Sequence, residues 1–261
     1  MDIIYAIILG ITQGLTEFLP VSSSGHLVIL QHLFGFKESN VLFDCSLHIG
    51  TLLAVFIYFF DDIKKLFYSL LSFNLKDPDF QLAIYIIVGS IPTAIIGFEF
   101  QDFFERTFNS PFTAGIMLCV TGIFLWITKY YSSSNKKNVG ILNSLLIGTA
   151  QGIAIIPGIS RSGATISCGL ICKLERETSF RFSFLLSIPA IIGAFLLEVT
   201  KVNSIGNLCP LISGTISSVI VGLLALKILS KIVKKGQLHY FSPYCIGIGI
   251  ITIIVCYLIH I

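Results

Sequence analysis

QGLTEFLPVSSSGH, running from Gln13 to His26, decides how the chain is read, because it sets a carboxylate, an imidazole and three adjacent serines inside apolar sequence. A partner stretch near the middle of the chain holds Gln151, Gly152, Pro157, Gly158, Ser160, Arg161, Ser162, Gly163 and Thr165. Laid over each other 138 positions apart, GITQGL from Gly10 matches GTAQGI from Gly148, and VSSSG from Val21 matches ISRSG from Ile159. One copy supplies Glu17 and His26, the other Arg161, so the two read as complementary halves of one site.

The setting is a membrane. Of 261 residues, 54% are hydrophobic and only 12% charged, with a mean hydropathy of +0.89, whereas a water-soluble domain is about one quarter charged. Residues 3 to 19 are apolar apart from Thr12, Gln13, Thr16 and Glu17, and Pro20 closes the run. That run makes about 25 Å of helix, short of the roughly 30 Å of a hydrocarbon core. Ser22 to Ser24 then offer caps for a second short helix from about Gly25 to Phe34. Two short helices meeting at a Pro/Ser/Gly turn predict a re-entrant hairpin over about 3–34, covered by protein where its backbone is irregular. A second hairpin is predicted over about 141–172. Six further stretches are long enough to span: about 42–60, 80–98, 111–128, 181–199, 210–229 and 242–260.

The expected fold is an all-α polytopic membrane protein, one integral domain over 1–261. It consists of six transmembrane helices and two re-entrant helical hairpins in an inverted-topology repeat, 1–131 against 139–261. The phrases SIPTAIIG from Ser90 and SIPAIIG from Ser187 echo each other in support, although 97 positions apart rather than 138. Charge tests the scheme. If each hairpin returns to its own side, thirteen of the seventeen basic residues face one way, against Lys37, Arg106 and Lys201 on the other, with Arg161 inside. The basic side should be cytoplasmic, which puts both termini outside. Redrawing either hairpin as a full span destroys the segregation. Such inverted hairpins meeting near midplane are also the plan of secondary transporters.

The remaining composition excludes more than it assigns. The seven cysteines form no C-x-x-C pair and read as small packed residues. The first apolar run has no basic residues before it, unlike a cleaved signal peptide. Basic and aromatic residues do not interleave as in a nucleic-acid binder.

The polar stretches suit a phosphorylated ligand. Gln13 and Glu17, four apart, share one helix face, and an intramembrane carboxylate needs a cation, metal or hydrogen-bond network. Ser22, Ser23, Ser24 and Gly25 mark a helix start, where free N–H groups favour an anion. Ser23 is a nucleophile candidate if a base is near, and His26, one turn on, can activate it or protonate a leaving oxygen. Gly158 and Gly163 allow close backbone approach around Arg161, whose planar fork matches phosphate oxygens, and Ser160, Ser162 and Thr165 can donate to the same group. Glu17, helped by Gln13, is the candidate site for a hard divalent cation, Mg2+ or Ca2+. Of the other histidines, His32 and His260 read as interfacial, His48 as a residue that can line a cavity, and His239 has no comparable neighbours.

The two stretches, together with DCSLHIGTLLAV from Asp44 and the SIP phrases, resemble the signature regions of the bacterial undecaprenyl-diphosphatase family, also called the bacitracin-resistance family, over essentially the full chain. The resemblance implies an enzyme of the bacterial cytoplasmic (inner) membrane with interlocked inverted repeats. It would remove the terminal phosphate of undecaprenyl diphosphate, the lipid carrier of peptidoglycan synthesis, on the outer side, using a divalent cation. It implies Ser23 as nucleophile, His26 as the essential histidine, Arg161 for phosphate, Glu17 as an acidic position and Ser24, Ser160 and Thr165 as supporting hydroxyls. Gln13 stands where members carry a carboxamide or a carboxylate; as glutamine it removes a charge from the expected metal site. The expected partner is the polyprenyl diphosphate lipid, with no obligate protein partner and a homodimer left open. A transporter or flippase of phosphorylated polyprenyl lipid is the competing function.

Overall fold

The apolar runs become twelve α-helices in the computed structural model, which describes residues 3–33, 41–108, 110–131, 134–199 and 208–259. In chain order these are α1 (Ile3–Phe18), α2 (Ser23–Leu33), α3 (Val41–Tyr58), α4 (Phe60–Ser72), α5 (Pro78–Glu99), α6 (Gln101–Phe108), α7 (Pro111–Ile127), α8 (Gly140–Ile153), α9 (Arg161–Ile171), α10 (Arg176–Val199), α11 (Leu208–Lys234) and α12 (Ser242–Ile259). Lys37, Lys201 and His260 lie outside the described residues, as does the side chain of His32. Among the described residues, five helices are long and apolar enough to cross a bilayer. The pair α3 and α4, bent by 77°, makes a sixth span if taken together. The chain is therefore an all-helical, multi-pass membrane protein.

Local chemistry sets the helix starts. Asp77 caps α5 by accepting the Asp79 N–H at 3.0 Å, Ser110 caps α7 through the Thr113 N–H at 3.2 Å, and each cap is followed by a proline in the first turn. Ser160 caps α9 through the Gly163 N–H at 3.1 Å.

The two short helix pairs seat on long helices distant in sequence. Helix α1 packs along α11, and α8 packs along α5. Both seats depend on glycine. A side chain at Gly10 would strike the Gly214 carbonyl of α11, and one at Gly148 would strike the Gly89 carbonyl of α5. Gly10 and Gly148 are the residues 138 positions apart that open the matching phrases. Helices α7 and α12 pack against each other and close the arrangement.

Two elements depart from the sequence reading. Helix α4, not anticipated, turns off α3 and exposes Phe60, Phe67 and Leu71 together with Lys64 and Lys65. Its other side is tied down by Arg181 of α10, which lies 2.8 Å from Asp62 and 3.3 Å from Asp79. The SIP phrases do not occupy matching places. Pro92 is in α5, the second long helix after the α1–α2 pair, whereas Pro189 is in α10, the first after the α8–α9 pair. They share a neighbour instead, since the Gln151 amide donates to Thr93 Oγ1 and to the Leu186 carbonyl, both at 3.3 Å.

Candidate active site

Helix α1 ends where Pro20 stops it, and Ser22 turns the chain with φ of 68°, a left-handed conformation that costs a serine about 1 kcal/mol or more. The conformation is held by what the side chain does. Ser22 Oγ accepts the Gly25 N–H at 3.3 Å and, across the molecule, the Gly158 N–H at 3.2 Å. Gly158, at φ of 97°, accepts the Thr121 hydroxyl of α7 on its carbonyl at 2.9 Å, and Thr121 Oγ1 accepts the Ser160 N–H at 3.0 Å. The tips of both helix pairs are thus in contact and fastened to α7.

At this junction Glu17, 6% exposed, is the hub. Oε1 is ion-paired with Nη2 of Arg161, the first residue of α9. Oε2 accepts the Ser23 hydroxyl at 2.5 Å and the Gln13 amide at 3.1 Å. Four predicted residues, Gln13, Glu17, Ser23 and Arg161, therefore meet. The same Gln13 Nε2 lies 3.0 Å from His48 Nδ1. An amide N–H can only donate, so His48 Nδ1 is the acceptor in this contact. The same nitrogen lies 3.9 Å from Glu17 Oε2.

The ring nitrogens of His26 have other partners. Its Nδ1 is 2.8 Å from the Ser22 carbonyl and its Nε2 is 2.9 Å from the Tyr244 hydroxyl of α12. The group that accepts the Ser23 hydroxyl is the Glu17 carboxylate. Sequence spacing carried no sign of Tyr244 or of the contact to His48.

Several expected ligand-binding groups are engaged in structure. The Ser22 hydroxyl and the Gly25, Gly158 and Gly163 N–H groups serve the caps and the tip junction. Ser160 Oγ lies 3.3 Å from Ser162 Oγ, and Ser22 Oγ 3.3 Å from Ser24 Oγ. Thr165 bonds the Arg161 carbonyl at 2.8 Å and the Ser183 hydroxyl of α10. Among the described residues, the first-turn N–H groups of Ser23 and Ser24 on α2, and of Arg161 and Ser162 on α9, have no acceptor. Arg161 Nη1 is buried without a partner as well. These donors sit at two helix starts, the positive ends, where an anion is favoured.

The donor set also fits a hard cation. Gln13 Oε1 is buried without a hydrogen-bond partner beside a carboxylate that accepts three hydrogen bonds of about four it can take. Among the described residues, no group of three or more His, Cys, Asp or Glu is arranged around a metal. An ion held by Glu17 and Gln13 would draw most of its roughly six to eight oxygens from phosphate and water.

Fold and site together define a multi-pass membrane protein in which Glu17 and Arg161 pair where two short helix pairs touch. The family model described as bacitracin resistance protein BacA matches residues 6–251, and the chain belongs to that family. It is 48% identical over 272 residues to the undecaprenyl-diphosphatase of Desulforapulum autotrophicum, covering 97% of this chain and 98% of the relative. It is 45% identical to the undecaprenyl-diphosphatase of Carboxydothermus hydrogenoformans, with 98% and 97% covered, and 45% identical to that of Halothermothrix orenii, with 97% and 98% covered.

Proposed function

We propose that the chain is an undecaprenyl-diphosphatase, which removes the terminal phosphate of undecaprenyl diphosphate, so returning the lipid carrier to peptidoglycan synthesis and conferring resistance to bacitracin. The observation that carries this reading is the Glu17–Arg161 pair at the junction of two helix starts with unpartnered donors, in a chain similar along its whole length to proteins of that name.

Arg161 Nη1 and the free first-turn amides bind the diphosphate. Ser23 Oγ gives its proton to Glu17 Oε2 and attacks the terminal phosphorus in line, and the bridging P–O bond breaks to release undecaprenyl phosphate. A water molecule then gives a proton to His26 Nε2 and attacks the phosphoserine phosphorus; the P–Oγ bond breaks, Ser23 Oγ takes back the proton held by Glu17 Oε2, and inorganic phosphate leaves with the proton from His26. Mg2+ or Ca2+ at Glu17 and Gln13 would neutralise phosphate charge and polarise the reacting oxygen.

The helix pairs α1–α2 and α8–α9 are read as re-entrant hairpins of two inverted repeats, over 1–131 and 139–261. The matched glycine seats on α11 and α5 support this, as does the gathering of Arg176, Arg181 and Lys234 at one end with α4. That end faces the cytoplasm of a bacterial inner membrane, so the site opens to the outer side and both termini lie outside. The test is phosphate release from undecaprenyl diphosphate by purified protein, with Mg2+ or Ca2+ and with chelator. Chelator-sensitive release is expected. Folded protein that releases no phosphate but moves the lipid across vesicles would be a carrier instead.

A further inference from the structure

Tyr244 has no place in the reaction as described, yet its hydroxyl is the partner of the one imidazole nitrogen that the hairpin tip leaves open. His26 Nδ1 faces the Ser22 carbonyl at 2.8 Å, and a carbonyl only accepts, so the Nδ1 position carries a proton. In a neutral ring Nε2 is then the acceptor, and the group facing it at 2.9 Å is Tyr244 O–H, 218 residues away on α12. The two rings are parallel to within 2°, with centroids 5.8 Å apart. The neighbouring Cys245 fixes α12 to the same tip, its thiol facing the Pro20 carbonyl at 3.5 Å. Ser22, which orients Nδ1, is itself locked by the Gly158 N–H. Both nitrogens of His26 are therefore held by groups that are themselves anchored.

We infer that Tyr244 is a positioning residue for His26, its O–H holding Nε2 as the acceptor nitrogen and aiming it until substrate and water arrive. The inference rests on His26 acting in the reaction as proposed. Replacing the hydroxyl removes one neutral hydrogen bond, worth about a three- to tenfold change. Tyr244→Phe, which keeps the ring, should lower kcat by that factor with KM unchanged. Nitrogen NMR of histidine-labelled protein, with the His26 signals identified by their loss in His26→Gln, should show a single Nδ1-protonated tautomer in the wild type and a mixture in Tyr244→Phe. Unchanged kcat in folded Tyr244→Phe, or the same single tautomer in both proteins, would overturn the inference. The NMR arm needs no turnover. An inactive wild type, or a fully active His26→Gln, would strike the reaction scheme while leaving the tautomer result to judge Tyr244.

Discussion

Arg161 opens α9 and closes its charge on Glu17 of α1, 144 positions earlier. Deleting either partner leaves the other buried and uncompensated, which costs about 3–5 kcal/mol. Glu17→Gln and Arg161→Ala should each lower the unfolding temperature and reduce phosphate release by about a hundredfold or more. The double variant should regain part of the unfolding temperature and none of the activity, as read by thermal unfolding in detergent beside a phosphate assay.

Ser22→Ala removes the oxygen that accepts N–H groups from both tips. A loss of about 1–3 kcal/mol is expected, together with faster hydrogen exchange at Gly25 and Gly158. Exchange at Gly158 identical to wild type would separate the tips energetically.

Gln13→Glu adds a carboxylate beside the orphaned Gln13 Oε1 position, so half-saturation of phosphate release should occur at about tenfold lower Mg2+ or Ca2+. Gln13→Ala should shift it the other way. Titration of activity with each cation after chelation gives the comparison.

Asp77, at the start of α5, is held below the usual carboxylate range first by the Ser69 hydroxyl at 2.5 Å and then by the Asp79 N–H. A depressed folded value means that the stabilisation is present above the ordinary value of 3.8 and disappears as pH falls through the lower folded one. Ser69→Ala should therefore loosen the segment between α4 and α5 at neutral pH and change little in strong acid. Limited proteolysis of that segment across pH reads the difference.

If α1–α2 and α8–α9 are re-entrant from opposite faces, as proposed, Leu33 and Lys173 lie on opposite sides of the membrane. In a cysteine-free background, Leu33→Cys should react with an impermeant thiol reagent from outside and Lys173→Cys from inside. Labelling of both from one side would rule out the inverted pair.

Much of this was written locally. Pro20, the serine caps and the 138-residue echo mark both helix pairs, and α9 begins at Arg161 as the phrase around it suggests. What stayed illegible was tertiary. Ser23 is three residues from His26 along a helix, which favours that pairing on paper, but the break at Pro20 and Ser22 folds it back onto Glu17. His48 and Tyr244 reach the site from α3 and α12, and no spacing rule spans 35 or 218 residues. Cap and anion nest share one vocabulary of Ser, Gly and N–H, so only the fold reveals that several of those groups are already engaged. Helix α4 escaped because its exposed face mixes Phe60 and Phe67 with Lys64 and Lys65, which defeats a count of apolar residues.

The crossed glycine seats also order the birth of the molecule. Helix α1 leaves the ribosome well before α11, and its seat there is not made until Leu208–Lys234 has been translated. A nascent chain ending after α7 holds Glu17 without Arg161 and Gly10 without Gly214. Maturation must therefore wait for the last third of the chain, and the two halves, expressed as separate polypeptides, should survive the cell's proteases only in each other's company.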